Sequence, residues 1–433
     1  MIGYYLDLAR RSFKRNVALT VLMVLAIGFG VGASMTTLTV LRLLSADPIP
    51  QKSDKLFYVQ LEPRDLPKGA TLDTDPPWQL SRYDAETLLR AARADRQAMM
   101  TGGAASIEPE RAGVDPFFAD ARFTSADFFA LFDVPFVAGS SWTAAEDSAH
   151  ARVVVIARPL AEKVFGTTDV VGKSIKLEGT SMRIVGVTEL WMPSPHFYDL
   201  ETGRYGQAEL VFLPISTAIE MKMSRSGNMN CWKETEDAEA LNAPCEWIQY
   251  WVELPTPEKA AAYKDYLVRY SEEQKAAGRY ERPPNVRLRG VMEWLAYREV
   301  VPADAKLQTW VALGFLLVCL INTVGLLLTK FLRRSPEIGV RRALGASKGS
   351  IFTQLLVEAG VIGVVGGLLG LGLAWLGLWA VRHQPTPYAD LAHLDLPMLG
   401  ATFALAVVSS LLAGLLPAWR GCQVTPAIQL KSH

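Results

Sequence analysis

Histidine and cysteine, the residues that most often bind metals or act as nucleophiles, are scarce in this sequence. It has five histidines (His150, His196, His383, His393 and His433) and four cysteines in 433 residues. The histidines form no HExxH motif or close ligand set, and neither a GxSxG nucleophile elbow nor a Cys/His constellation is present. We therefore expect no metal site, no cofactor bound by this chain and no catalysis by the chain itself.

An excess of charge of one sign is also missing, because 44 basic residues balance 44 acidic ones. A nucleic acid is usually bound by a basic face on a soluble domain. We therefore expect no nucleic-acid partner, and we interpret local clusters of Lys and Arg as signals of membrane topology.

One segment imitates a nucleotide-binding motif. Gly166 precedes Gly172-Lys173-Ser174, but the spacing is one residue too long for a P-loop, whose first glycine would have to stand at Thr167. We interpret the segment as a turn that leads into a strand at 175–177.

Long uncharged runs are missing from the middle of the chain but present on both sides of it. A helix needs roughly 20 apolar residues to cross a bilayer core of about 30 Å, and four runs are long enough: 17–41, 307–328, 359–381 and 396–419. The first run is too long for the apolar core of a secretory signal peptide, so we expect it to be retained as a helix.

Basic residues beside these runs predict the orientation of the chain. The segment before the first run has Arg10, Arg11, Lys14 and Arg15 against Asp7, and further basic residues flank the link between the second and third runs and follow the fourth. The 382–395 hairpin has one arginine and two aspartates. The positive-inside rule therefore places both termini and the link in the cytoplasm, and the middle of the chain outside.

These signals divide the chain into segments. We predict an amphipathic helix on the cytoplasmic face at 1–16, spans at 17–44, 307–330, 351–381 and 396–419, an outer domain at 45–306, a link at 331–350, a hairpin at 382–395 and a tail at 420–433. The fold class is an α-helical membrane protein with four transmembrane helices and a large mixed α/β domain inserted between helices 1 and 2. The lipid bilayer is thus an expected partner.

Strand-like and helical patterns alternate in the outer domain. Strands are predicted at 152–157, 182–187, 209–213, 250–254 and 285–289, and helices at 83–95 and 257–277. The domain is large for a single core, so we expect two subdomains, the second at about 112–195.

Two of the cysteines, Cys231 and Cys245, lie in the outer domain. An oxidising exterior favours a disulfide between them, and closing a loop of about 15 residues would stabilise the fold by about 3 kcal/mol. The alternative is a pair of free thiols in a loop rich in acidic residues.

Small residues in the spans predict close helix packing. Pairs four residues apart form small-xxx-small faces at Gly28, Gly32, Gly363, Gly366, Gly367 and Gly370. These faces serve either packing within one chain or a contact between subunits. Glu358, about two turns into the third span, is an exceptional charge there, and we expect it to pair with a nearby basic group.

The link between the second and third spans carries the sequence PEIGVRRALGAS at 336–347. Pro336 is suited to open a short helix and Gly345 to end it. Arg341 and Arg342 are suited to engage an acidic or polar groove on a partner. The alternative is that these arginines only set topology and bind lipid headgroups.

Residues 335–375, SPEIGVRRALGASKGSIFTQLLVEAGVIGVVGGLLGLGLAW, resemble the signature of the MacB/FtsX family of ABC transporter permeases. The segment 415–430 resembles the closing segment of that family, and 123–139 with 160–187 are similar to the MacB-type periplasmic core domain. The region from about 190 to 300 matches less clearly.

The resemblance implies a permease of the type VII, mechanotransmission class in the bacterial inner membrane. Two permeases, either two copies of this chain or this chain with a similar permease, would bind a dimer of cytoplasmic ABC ATPases. ATP and magnesium would bind to the ATPase, which we expect to be a separate polypeptide because no ATPase domain flanks the permease. The implied coupling residues are Glu337, Arg341, Arg342, Leu344, Gly345, Ala346 and Ser347.

Three functions remain open. The first is export of a periplasmic substrate with an adaptor and an outer-membrane channel as further partners. The others are a lipoprotein-releasing permease and a non-transport regulator of a periplasmic cell-wall hydrolase. The segment 339–347 resembles export permeases of the MacB type more than the others, which favours the first.

Overall fold

The computed structural model describes residues 2–65, 75–205, 207–384 and 396–423. Its helices are α1 (Ile2–Arg15), α2 (Val17–Leu44), α3 (Arg82–Ala91), α4 (Phe128–Leu131), α5 (Ala144–Ser148), α6 (Arg158–Phe165), α7 (Ile215–Glu220), α8 (Pro257–Ala276), α9 (Val291–Tyr297), α10 (Ala303–Leu332), α11 (Ser335–Ala343), α12 (Lys348–Arg382) and α13 (Leu396–Cys422). Its strands are β1 (Leu56–Gln60), β2 (Leu80–Ser81), β3 (Arg96–Glu108), β4 (Phe117–Thr124), β5 (Phe136–Gly139), β6 (Val153–Ala157), β7 (Ser174–Leu177), β8 (Thr180–Thr188), β9 (Val211–Pro214), β10 (Arg225–Ser226), β11 (Asn230–Cys231), β12 (Cys245–Glu253) and β13 (Arg287–Gly290).

The described residues form two compact units. The membrane unit comprises Met1–Ser45 and Val301–His433, and the outer unit comprises Ala46–Val300. In the membrane unit, α2, α10, α12 and α13 are long and apolar enough to cross a membrane. The predicted hairpin at 382–395 and the tail at 420–433 lie mostly outside the described residues.

The spanning helices extend past the apolar runs that predict them. The third span was predicted to begin at 351, whereas α12 begins at Lys348. The Ser347 hydroxyl accepts a hydrogen bond from the Ser350 amide at 3.1 Å, so a side-chain cap fixes this end of the helix.

Glycines bring α2 and α13 close to α12. A Cβ added at Gly32 would lie 2.7 Å from the Cβ of Leu373, and one at Gly363 would lie 2.7 Å from the Cβ of Ser410. The other predicted packing glycines also face neighbouring helices of the same chain: Gly28 faces Leu369, Gly366 faces Ile27, Gly367 faces Ala406 and Gly370 faces Val31. All six glycines therefore pack helices within one chain.

The outer unit is built on a mixed sheet with the strand order β13-β1-β12-β3-β4-β9-β6-β8-β5. The pairs β4/β9 and β6/β8 are parallel, and the other neighbours in this order are antiparallel. The strands between 112 and 195 lie in the same sheet as the others, and a second subdomain at about 112–195 stays a prediction.

Apolar residues cover both faces of the sheet. Along β12, Tyr250 and Val252 belong to one hydrophobic core, whereas Trp251 belongs to a second core rich in aromatic rings. Alternate side chains of a strand point to opposite faces, which explains why β12 is buried along its whole length.

The predicted strands and helices of the outer unit correspond to β6, β8, β9, β12, β13, α3 and α8, with ends shifted by a few residues. The long central strand β3 has no counterpart in the prediction, because Gly102 and Gly103 interrupt its strand-like pattern. Gly103 is required by a close approach of the Phe123 ring, which would collide with any Cβ there.

The P-loop-like segment forms a turn. Gly166 ends α6 in the left-handed conformation with φ of 75°, and Gly172 adopts φ of 86° just before β7 begins at Ser174. The interpretation of this segment as a turn before a strand agrees with the structure.

Candidate coupling site

The link between α10 and α12 folds as the short helix α11. Pro336 occupies its first turn, where a backbone N–H has no partner within the helix, so the N–H that proline lacks costs no hydrogen bond. Gly345 follows the helix with φ of 100°, a left-handed conformation that strains any residue with a Cβ. Ser347 then caps α12. Pro336, Gly345 and Ser347 thus define the start of α11, the turn after it and the start of α12.

Ion pairs and hydrogen bonds tie α11 to its neighbours. The Glu337 carboxylate accepts hydrogen bonds from Arg334 at 3.1 Å and from Arg341 at 2.9 Å, and Arg341 also donates to the Gln354 side chain of α12 at 3.0 Å. Burial alone would raise the pKa of Glu337, but the two guanidinium groups hold it below its ordinary value. Arg334 and Arg341 therefore tie α11 to its neighbours at both ends.

Two apolar side chains of the link are exposed. Val340 is 53% exposed and Leu344 is 83% exposed, although both lie outside the candidate spans. Leu344 follows the last residue of α11, and the spacing of four residues places it near Val340, beside the face that carries Glu337 and Arg341. Such exposed apolar groups next to charged ones are typical of a protein interface.

The predicted coupling residues thus divide into three groups. Glu337 and Arg341 are engaged within the chain, Arg342 and Ala346 are half-buried, and Leu344, Gly345 and Ser347 are exposed. Val340 and Arg334 were missed by the sequence prediction. The helical spacing of Val340 with Leu344 is a signal that would have found the former.

A buried cluster of charges, the Glu358 cluster, lies beneath α11. Glu358 of α12 pairs with Lys330 Nζ at 2.6 Å and with Arg334 Nη1 at 2.9 Å. The Ser12 hydroxyl of α1 donates to the same carboxylate at 2.5 Å and accepts from Arg334 at 3.1 Å. All four residues are buried. The expected pairing of Glu358 with a basic group is present, whereas Ser12 has no signal in the sequence.

This cluster is sensitive to the loss of any member. A buried ion pair gains little over apolar packing, but removal of one partner leaves an uncompensated charge in a medium of low dielectric constant. In the part of the chain that the structure describes, no group of His, Cys, Asp and Glu could hold a metal ion. The arrangement of the Glu358 cluster is suited to fixing helices.

In the outer unit, Cys231 and Cys245 form a disulfide. The two residues face each other where β11 pairs with β12, and Cys245 is buried. The bridge joins the loop between them to the main sheet.

Family models match both parts of the chain. A model of the MacB-like periplasmic core domain matches residues 20–270, and a model of the FtsX-like permease C-terminal region matches residues 310–426. The first match includes the outer unit up to α8, and the second includes α11 and the Glu358 cluster except for Ser12.

Curated relatives include two kinds of exporter. The macrolide export ATP-binding/permease protein MacB of Rhodospirillum rubrum is 26% identical over 446 residues, which cover 100% of this chain and 60% of that protein. The pyoverdine export ATP-binding/permease protein PvdT of Pseudomonas savastanoi pv. phaseolicola is 26% identical over 314 residues, covering 71% of this chain and 42% of that protein. The chain thus spans at most about 60% of the length of these relatives.

A solved structure is also similar. The periplasmic region of MacB from Actinobacillus actinomycetemcomitans has a TM-score of 0.36 and 12% identity, covering 59% of this chain and 96% of that one. The core-domain match alone includes more than half of the 433 residues. With four helices able to span a membrane and an extracellular domain between the first two, the chain belongs to the MacB/FtsX family of ABC transporter permeases.

Proposed function

We propose that this chain is the permease subunit of an ATP-driven ABC transporter and passes the conformational change of cytoplasmic ATPases to its outer domain. The observation that carries this proposal is the build of α11. Arg334 and Arg341 tie it to neighbouring elements by hydrogen bonds, and Val340 and Leu344 are exposed. A short helix that is held by its neighbours and presents exposed apolar side chains is suited to receive a push from a partner protein.

The ATPase would bind at the exposed surface that includes Val340 and Leu344. Leu344 would act as the apolar anchor, and Arg342, Gly345, Ala346 and Ser347 would complete the contact. ATP and magnesium would bind to the ATPase dimer, so this chain would not itself be an enzyme. α11 and both termini would then face the cytoplasm and the outer domain the periplasm, as the distribution of basic residues indicates.

Export is the activity that the relatives support. The two relatives described above are named for export of macrolides and of pyoverdine. We propose that this chain acts with a second permease, either another copy or a similar chain, and exports a substrate from the periplasm. A periplasmic adaptor and an outer-membrane channel would be further partners.

Copurification tests the shared premise of this proposal. The full chain is purified from its native membrane in a mild detergent, and bound proteins are identified by mass spectrometry. We expect an ABC ATPase to be recovered, and we expect Leu344→Glu to lower its recovery at least tenfold because a carboxylate replaces the apolar anchor.

The matched control is Val171→Glu, which adds the same charge at an exposed apolar residue of the outer unit. This variant should recover the ATPase like the parent. Recovery of no ATPase with the parent, or full recovery with Leu344→Glu, would refute the proposal.

A further inference from the structure

The carboxylate of Glu358 joins four parts of the membrane unit. It belongs to α12, it binds Lys330 near the end of α10, and it binds Arg334 between α10 and α11. Its third partner is Ser12 of α1, a residue 346 positions away in the sequence. One side chain thus contacts elements that are far apart along the chain.

Ser12 is the polar centre of the face that α1 turns toward the other helices. It is buried, and its hydroxyl is satisfied in both roles, because it donates to Glu358 and accepts from Arg334. The other polar contacts of α1 with these elements are longer: Tyr5 lies 3.2 Å from Ser350, and exposed Arg15 lies 3.9 Å from Glu337. The contact at Ser12 is therefore the shortest polar attachment of α1, beside the apolar packing of Ala9 and Phe13.

Arg334 connects this attachment to α11. Its Nη1 donates to Ser12 and Glu358, whereas its Nη2 donates to Glu337 in the first turn of α11. A guanidinium group is planar and rigid, so its two ends keep a fixed geometry. A displacement of α11 must therefore either carry Ser12 and Glu358 with it or break charge-assisted hydrogen bonds in a buried site.

Stability alone does not call for this arrangement. Apolar side chains of similar volume would fill the same space at equal or lower free energy, but they would permit α1 to slide or rotate. A carboxylate shared among an ammonium, a guanidinium and a hydroxyl allows one register of the four segments. The cluster thus fixes the relative positions of these four segments.

We propose that Glu358 is a positioning residue whose hydrogen bond to Ser12 fixes α1 to the same body as α11, so that α1 moves with α11. The coupling of this body to an ATPase rests on the proposed function, whereas the attachment of α1 does not.

Electron paramagnetic resonance tests the attachment directly. Nitroxide labels are placed at Arg10→Cys in α1 and Lys348→Cys in α12 of the full chain in lipid nanodiscs, with Cys319 and Cys422 replaced by alanine. Pulsed dipolar measurements give the distribution of distances between the labels. We expect one narrow distribution in the parent and at least a twofold broader one in Ser12→Ala, because α1 then adopts several positions.

Asp7→Asn is the matched control on the same helix. It removes a solvent-exposed ion pair between Asp7 and Arg11, and the distribution should stay as narrow as in the parent. An unchanged distribution in Ser12→Ala, or equal broadening in Asp7→Asn, would overturn the proposal.

A second variant separates positioning from simple folding. Lys330→Met combined with Glu358→Met replaces a buried ion pair by apolar groups and leaves Arg334 paired with Glu337. We expect this protein to fold and to show the broadening of Ser12→Ala, and we expect Ser12→Ala to add nothing in this background. Full additivity would show that Ser12 acts independently of Glu358 and would contradict the inference.

These measurements need no ATPase. A failure to recover an ATPase would therefore refute the proposed function and leave the attachment of α1 intact. A narrow distribution in Ser12→Ala would refute the attachment and leave the proposed function intact.

Discussion

For Arg341, the role predicted from the sequence differs from the contacts observed in the structure. The sequence predicts a contact between Arg341 and an ATPase, and this contact stays a prediction. The structure shows the guanidinium donating to Glu337 and to Gln354 within the chain. Arg341 therefore orients α11, and the surface left for a partner is dominated by Leu344 and Val340.

Glu246 in the outer unit is a single residue with an unusual titration. Burial raises its pKa to about 7, and the carboxylates of Glu62 and Glu201 act in the same direction. A hydrogen bond from Asn230 and the charge of Arg64 oppose this shift without cancelling it. The folded protein therefore keeps a proton on Glu246 at a pH where the unfolded chain has lost it.

A pH-dependent stability follows from this shift. Between pH 4.5, the ordinary pKa, and about 7 the folded state binds more protons than the unfolded state, so the free energy of unfolding falls as pH rises. One pKa unit corresponds to about 1.4 kcal/mol, which makes the full effect about 3 kcal/mol. Glu246→Gln should flatten this dependence and raise the melting temperature at pH 8, as followed by tryptophan fluorescence of the full chain in detergent.

Glu110→Gln is the control for this measurement, since Glu110 has an 84% exposed side chain in the same unit. It should keep the pH dependence of the parent. A Glu246→Gln protein with an unchanged slope between pH 5 and 8 would show that Glu246 titrates normally.

At the scale of secondary structure elements, α12 is organised by its glycines. Gly363 lies against Ser410 and the Ala406 backbone of α13, whereas a Cβ at Gly372 meets no atom within 4 Å. The two glycines share one helix and differ only in what they face. They therefore separate the packing effect of a glycine from its effect on helix propensity.

Substitution at these positions should have unequal effects. Gly363→Leu forces α12 and α13 apart and should lower the free energy of unfolding by about 1–3 kcal/mol. Gly372→Leu should not lower it, because the new side chain enters open space and leucine favours a helix more than glycine does. Thermal unfolding in detergent measures both, and equal losses would show that close packing at Gly363 is unimportant.

At the scale of the whole molecule, the proposed orientation predicts the accessibility of single cysteines. In a chain whose Cys319 and Cys422 are replaced by alanine, Glu110→Cys lies in the outer domain and Leu344→Cys lies in the link. In right-side-out membrane vesicles, a membrane-impermeant maleimide should label Glu110→Cys at once and Leu344→Cys only after the vesicles are opened. Labelling of Leu344→Cys in intact vesicles would reverse the proposed topology.

The sequence alone determined the four spans, the mixed outer domain between the first two, and the short helix with Pro336 and Gly345 at its ends. These features depend on hydropathy, charge and capping. Such properties involve residues that are close in the sequence, so they can be predicted from it. The pairing of Glu358 with a basic group was also predictable, because a charge in an apolar span requires a partner.

Contacts between residues far apart in the sequence could be known only from the folded structure. Ser12 binds Glu358, which is 346 positions away in the sequence. A serine in an amphipathic helix belongs to no sequence pattern that identifies its partner. The strand β3 forms through Gly102 and Gly103 because Phe123 needs the space, although glycine disfavours strands. Local patterns set the elements, whereas burial and close packing selected the contacts, since these depend on residues that the chain brings together only on folding.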